Sequence, residues 1–164
     1  MKKGLFAGTF DPPSLGHLNV IQRAMGFCDH LIVGVAYNSE KKPWRPLEER
    51  CEMLRAITKG TPQVEIVAFE GLTVEFARQK RVSFLIRGIR NELDAIGELQ
   101  MATANRALSG IDTLLLMAEA PYGFVSSSLI REIARCGGDI SKFVPPEVAA
   151  KLYIPVPLQT PPKD

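Results

Sequence analysis

Cysteine, histidine and tryptophan are scarce in this sequence. Its 164 residues hold three Cys, two His and one Trp. Cys28, Cys51 and Cys136 are odd in number and form no Cys-x-x-Cys pair, and His17 and His30 stand far from them, which makes a poor zinc-ligand set. Reduced, partly buried thiols are the expectation. An excess of one charge is missing too. Twenty basic and 18 acidic residues leave a net charge of +2, and the basic ones are spread rather than blocked, which gives no support to a nucleic-acid partner. Long apolar runs are absent: none approaches the roughly 20 residues of a membrane span. Met1-Lys2-Lys3 begins like the charged head of a signal peptide, but Asp11, Pro12 and Pro13 interrupt before an apolar core can form. The phosphate loop Gly-x4-Gly-Lys-Ser/Thr does not occur, which disfavours a P-loop kinase or ATPase. These absences predict a cytoplasmic enzyme or binding domain with neither membrane nor nucleic acid as partner.

Short apolar runs alternate with amphipathic ones. Strands are expected at Lys3–Ala7, His30–Ala36, Val64–Phe69, Val82–Ile86 and Thr113–Ala118. They are nearly continuous in apolar residues, as parallel strands covered on both faces must be. Between them run helical patterns, the first over Leu18–Met25 and the second opening at Pro46. Thr73–Lys80 is short. Leu93–Leu108 is the longest, with Leu93, Ile96, Gln100, Ala104 and Leu108 in register. Ser126–Cys136 and Pro145–Leu152 follow. Strand-then-helix units repeated five times argue an α/β fold, a doubly wound five-stranded parallel sheet with helices on both faces. Residues 1–154 read as one domain, and 155–164, with four prolines, as a loose tail.

The densest signal lies directly after the first strand, in Gly8-Thr9-Phe10-Asp11-Pro12-Pro13-Ser14-Leu15-Gly16-His17. Strand, glycine-containing turn and helix follow in order. A helix start offers unpaired N–H groups and the positive end of the helix dipole, both attractive to phosphate. Gly8 and Gly16 permit close approach of the backbone to a ligand, Thr9 adds a hydroxyl, and His17 in the first turn adds a ring N–H. A capped tight turn with no ligand is the bland alternative. His30, at a strand start, reads as structural.

Each later motif also follows an expected strand, where ligands bind in open α/β sheets. Asn38-Ser39-Glu40-Lys41-Lys42-Pro43 carries two ammonium groups. Leu85-Ile86-Arg87-Gly88-Ile89-Arg90 carries two guanidinium groups, suited to forked phosphate contacts, although such an arginine can equally bind a carboxylate of the following helix. Tyr122-Gly123-Phe124-Val125-Ser126-Ser127-Ser128 opens a helix with three hydroxyls, as a cap or as a second anion site. Glu98, in mid-helix, reads by itself as a solvated residue. The set has no readable nucleophile–base pair. It is cationic and rich in hydrogen-bond donors, which is what phosphoryl or nucleotidyl transfer demands, because catalysis there is mostly placement and electrostatics.

Gly-Thr-Phe-Asp-Pro followed by Gly-His resembles the signature loop of the nucleotidyltransferases related to the class I aminoacyl-tRNA synthetases. The order of that loop, Lys-Lys-Pro, Leu-Ile-Arg-Gly-Ile-Arg, Ser-Ser-Ser-Leu-Ile-Arg-Glu and Gly-Gly-Asp-Ile resembles the bacterial phosphopantetheine adenylyltransferases over roughly Lys3 to Leu152. The resemblance implies a Rossmann-like nucleotidyltransferase fold. It implies adenylyl transfer from ATP to 4′-phosphopantetheine with Mg²⁺, giving dephospho-coenzyme A and pyrophosphate, in a homohexamer. It implies catalytic roles for His17, Lys41 and Arg90. Thr9 would meet both substrates, and Lys41, Thr73 and Arg87 would line the phosphopantetheine site. Phe10, His17, Gly88, Ile89, Arg90 and Glu98 would serve ATP, with Tyr122, Gly123, Phe124, Val125, Ser126, Ser127 and Ser128 covering adenine and triphosphate. The metal ligands stay unassigned. The sequence departs from the usual pattern at Ala7, Leu15, Thr73 and Gly97. Two alternatives stay open: a nicotinate- or nicotinamide-mononucleotide adenylyltransferase, and a module that binds ATP without turnover.

Overall fold

The structure is a computed structural model that describes residues 1–37 and 42–152. Lys41 and the expected tail lie outside the described residues. Five strands run β1 (Lys3–Gly8), β2 (His30–Tyr37), β3 (Val64–Glu70), β4 (Phe84–Ile89) and β5 (Thr113–Met117). Six helices run α1 (Leu15–Ala24), α2 (Leu47–Ile57), α3 (Thr73–Gln79), α4 (Glu92–Ser109), α5 (Ser127–Arg135) and α6 (Pro146–Leu152), with a short 3-10 turn at Ala120–Tyr122 that the sequence reading did not anticipate. The strands form one sheet in the order β3-β2-β1-β4-β5, every pair parallel. The expected α/β fold is the observed one.

Side-chain alternation along the strands explains the two helical layers. Phe6, Val33 and Ile86 point to the face covered by Val20, Ile21 and Ala24 of α1 and Cys51 and Leu54 of α2. Their neighbours Leu5, Ala7, Ile32 and Leu85 point the other way, onto Val74, Phe76 and Ala77 of α3. A third cluster joins Met53 of α2 to Ile130 of α5 and Val148 and Leu152 of α6. The strand order reverses direction between β1 and β4. The chain therefore opens a crevice there, beyond the strands' carboxyl ends.

One expectation needs correction, and one helix needs a fuller description. The fourth strand runs Phe84–Ile89, not Val82–Ile86. An apolar-run criterion stops at Arg87, yet the backbone stays in the ladder through Gly88 and Ile89, opposite Leu116 and Met117, because the Arg87 head extends off the sheet to polar partners. The register Leu93, Ile96, Gln100, Ala104 and Leu108 of the long helix forms its exposed side, and the side turned to the rest of the chain carries the half-buried Asp94, Ala95, Glu98, Ala102, Asn105 and Ser109. No residue of α4 is buried; Leu93, Ile96, Leu99, Met101 and Leu108 are all more than half exposed. Among the cysteines, Cys51 is buried, Cys28 half-buried and Cys136 exposed.

Candidate active site

The loop after β1 is organised by a capping box. Ser14 is the N-cap of α1, and its hydroxyl accepts the His17 N–H at 3.3 Å. In return His17 Nδ1 accepts the Ser14 backbone N–H at 3.0 Å and lies 3.1 Å from the Ser14 hydroxyl. An Nδ1 that accepts a backbone N–H carries no proton, so the neutral ring is the Nε2–H tautomer. The ring stands edge-on to Phe10, centroids 5.0 Å apart, and Phe10 stands edge-on to Phe6 at 5.2 Å. Burial, then the charges of Arg90 and Arg87, lower the His17 pKa from 6.5 to about 4. At neutral pH His17 is a fixed, uncharged donor.

Arg87 and Arg90 enter the crevice from the end of β4. Arg87 sends Nε and Nη2 to the two oxygens of Glu98, each at 2.6 Å, and Nη1 to the Ala7 carbonyl at 2.6 Å. Arg90 forks onto Asp94 at 2.6 and 3.0 Å and reaches the Val125 carbonyl at 3.4 Å. Both arginines do bind carboxylates of the following helix, one turn apart on α4. The groups that could receive phosphate are thus held in position by acids that an incoming anion must compete with.

The serine loop ties the second helix start to the first. Ser126 caps α5 by accepting the Leu129 N–H at 3.1 Å. Ser127 donates to the Pro12 carbonyl at 2.8 Å. Arg131 donates to the Asp11 carbonyl at 2.6 Å and to the Ser128 hydroxyl at 3.1 Å. Two helix N-termini therefore face one space; at α1 the Leu15 N–H is taken by the Phe143 carbonyl and the His17 N–H by Ser14, so that of Gly16 is the one left open in its first three residues.

That space is a cavity of about 1300 Å³ at the switch point. Thr9, Phe10, His17, Arg87, Gly88, Arg90, Glu98, Tyr122, Val125 and the three serines line it, as the sequence reading required. Lys42 of the Lys-Lys-Pro motif is on its wall; Lys41 lies outside the described residues. Ile89, Gly123, Phe124 and Thr73 are not on the wall. Ile89 is in the sheet and buried, and Phe124 is exposed with its ring edge-on to Phe143 at 6.1 Å. Thr73 lines a separate hollow of about 80 Å³, shared with Arg87 and Met101. Gly8 serves packing: a Cβ there would meet the Phe10 ring at 3.2 Å. At Gly16, on the cavity wall, a Cβ would make only ordinary contacts. His30 pairs with Glu65 at 3.0 Å, away from the cavity wall.

The sequence reading missed Asp11, Trp44, Arg50, Arg131 and Arg135 as wall residues. Asp11 and Arg131 sat inside quoted motifs and could have been found there. Trp44 and Arg50 carried no pattern that separates them from core or surface residues. Among the described residues no group of three or more His, Cys, Asp or Glu could hold a metal ion.

Comparison with known proteins agrees with this geometry. A family model described as cytidylyltransferase-like matches residues 5–133. The phosphopantetheine adenylyltransferase of Lachnoclostridium phytofermentans is 46% identical over 154 residues, 93% of this chain and 94% of that protein. The phosphopantetheine adenylyltransferase of Cereibacter sphaeroides is 46% identical over 157 residues, 93% of this chain and 97% of that protein. Among solved structures, a Vibrio parahaemolyticus protein provisionally assigned as a nicotinate-nucleotide adenylyltransferase superposes with a TM-score of 0.63 at 22% identity, over 93% of this chain and 99% of its own, which bears on the fold alone. With its parallel sheet, paired helix starts and near-full-length relatives, the chain belongs to the phosphopantetheine adenylyltransferases, within the cytidylyltransferase-like nucleotidyltransferases.

Proposed function

We propose that this protein transfers the adenylyl group of ATP to 4′-phosphopantetheine, releasing pyrophosphate and giving dephospho-coenzyme A. The observation that carries the reading is the convergence of His17, Arg87, Arg90 and two helix N-termini on one cavity at the switch point, in a chain 46% identical to proteins of that name. The acceptor phosphate oxygen forms a bond to the α-phosphorus as the bond from that phosphorus to the bridging β-oxygen breaks. The nucleophile is already anionic, so no general base is required, and the absence of a nucleophile–base pair is consistent with that. Two anions must instead be brought together, and the guanidinium groups lower their repulsion.

His17 donates Nε2–H to an α-phosphate oxygen as charge grows there. Its neutrality is an advantage: an uncharged donor does not bind the ground-state anion as strongly as a cation would, so more of its effect falls on the transition state. Arg87, at the mouth of the hollow that Thr73 shares, suits the acceptor phosphate. Arg90, toward the serine loop, suits the triphosphate, with Lys41 as a further cation. Mg²⁺ accompanies the triphosphate and neutralises charge when bound. Of the carboxylates on the cavity wall, Asp11, Asp94 and Glu98 are engaged with N–H groups or arginine, and Glu70 stands at the end of β3. Such a site suits a magnesium ion that keeps phosphate and water as its main ligands.

The uncovered apolar side of α4 supports association of copies of the chain into the hexamer. No helix among the described residues is long and apolar enough to cross a membrane, which supports a cytoplasmic reading. The test is pyrophosphate release that requires both 4′-phosphopantetheine and Mg·ATP. Adenylation of nicotinate mononucleotide but not phosphopantetheine would overturn the acceptor.

A further inference from the structure

Arg50, on α2, belongs to none of the motifs above. It is 1% exposed and heads the largest fully buried side chains. Its Nε donates to the Arg45 carbonyl at 3.1 Å, and its Nη1 to the Thr9 carbonyl at 2.6 Å and the Ala36 carbonyl at 3.1 Å. Among the described residues, Nη2 has no hydrogen-bond partner and no carboxylate oxygen stands within 4.0 Å of the group. Asp11, buried in the same region, spends its oxygens on the N–H groups of Trp44 at 2.6 Å and Arg45 at 3.0 Å. Arg50 nonetheless lines the cavity.

Guanidinium does not give up its proton inside a protein, and burying it without a nearby counter-charge is costly. Three carbonyls solvate this cation and do not neutralise it. The cavity side, which Arg50 lines, is open to a compensating anion. The carbonyl held by Nη1 also precedes Phe10, whose φ of 50° is left-handed and disfavoured for a residue with a Cβ. Arg50 therefore grips the peptide that sets the turn on which Thr9 projects into the cavity and Phe10 supports His17.

We propose that Arg50 is a positioning residue for nucleotidyl transfer. It locks the Thr9–Phe10 turn and the segment after Lys42 through main-chain carbonyls, and its buried charge is balanced when a substrate phosphate enters. This rests on the functional reading above.

Wild-type protein, R50K and R50M are compared in pyrophosphate release, in thermal melting, and in Mg·ATP affinity read from the fluorescence of the single tryptophan, Trp44, on the cavity wall. R50K keeps the charge and loses the fork: kcat falls about tenfold or more while the dissociation constant for Mg·ATP stays within about threefold. R50M loses both, and that constant also rises about tenfold or more. A folded R50K with wild-type kcat overturns the positioning role, and a folded R50M with wild-type ATP affinity overturns the charge role. If R50M does not fold, the wild-type protein decides: the Arg50 Nε–H resonance shifts on titration with inorganic tripolyphosphate, and an unmoved resonance overturns the proposal. A wild type that binds Mg·ATP yet does not turn over phosphopantetheine sinks the acceptor reading and leaves the affinity comparison standing.

Discussion

Replacing His17 separates its structural task from its chemical one. Alanine removes the ring that accepts the Ser14 N–H and packs on Phe10. Those losses are worth about 1 kcal/mol each, so the variant keeps its fold. Glutamine at the same helix position can still reach back to the N-cap N–H, as capping boxes do, and restores part of that stability. The chemical loss is larger. A single preorganised donor to a developing oxyanion is worth about 10²–10³ in kcat, while ATP affinity changes little because the donation strengthens in the transition state. The pKa of about 4 adds a second reading. Since kcat/KM reports the free enzyme, the ratio of wild-type to His17→Ala kcat/KM stays constant between about pH 5.5 and pH 8, whatever the substrate phosphates do in both proteins. Steady-state pyrophosphate release across that range measures it. A ratio that climbs as pH falls through 6.5 would show a protonated imidazole at work and refute the neutral-donor mechanism. An alanine variant with kcat within about tenfold of wild type would remove His17 from the reacting geometry.

The same depressed pKa makes stability depend on pH. The unfolded chain takes up the His17 proton near 6.5 and the folded chain only near 4, so the contribution of the neutral ring is complete above 6.5 and is lost as pH falls toward 4, by at most about 3 kcal/mol before cavity water screens it. Urea midpoints of wild type should therefore fall more steeply than those of His17→Gln below pH 6.5; parallel curves would contradict the shift. Arg87→Ala should raise KM for the acceptor about tenfold or more with a smaller effect on ATP, and the reverse pattern in initial-rate kinetics would exchange the assignments of Arg87 and Arg90. Asp11→Ala leaves two half-buried N–H groups without their acceptor and should cost about 1–2 kcal/mol in chemical denaturation; a loss below about 0.5 kcal/mol would show that water replaces the carboxylate. Ile96→Glu, on the exposed stripe of α4, should lower the mass seen in sedimentation without lowering the secondary-structure signal. An unchanged mass would count against α4 as a contact between copies of the chain.

Local chemistry made much of this protein legible from its residues. The inner strands β1, β2 and β4 are covered on both faces and so nearly apolar throughout, and the partly covered edge strands β3 and β5 are also rich in apolar residues, so the parallel sheet could be read from five runs in order. Ser14 and Ser126 are caps because a short side-chain oxygen before a helix satisfies an orphan N–H, a rule that acts within four residues. The Thr-Phe-Asp-Pro turn and Arg90 lie beyond strand ends, where order alone placed them. Tertiary structure decided what depends on neighbours distant in the chain. It carried β4 past Arg87, because ladder hydrogen bonds and not side-chain polarity end a strand. It paired Arg87 with Glu98, left the apolar side of α4 uncovered, and brought Arg50 against the carbonyl of a residue 41 positions earlier. A sequence records which residues can carry charge or shed water; only the folded chain fixes the distances at which those capacities meet, and electrostatic energy depends on distance.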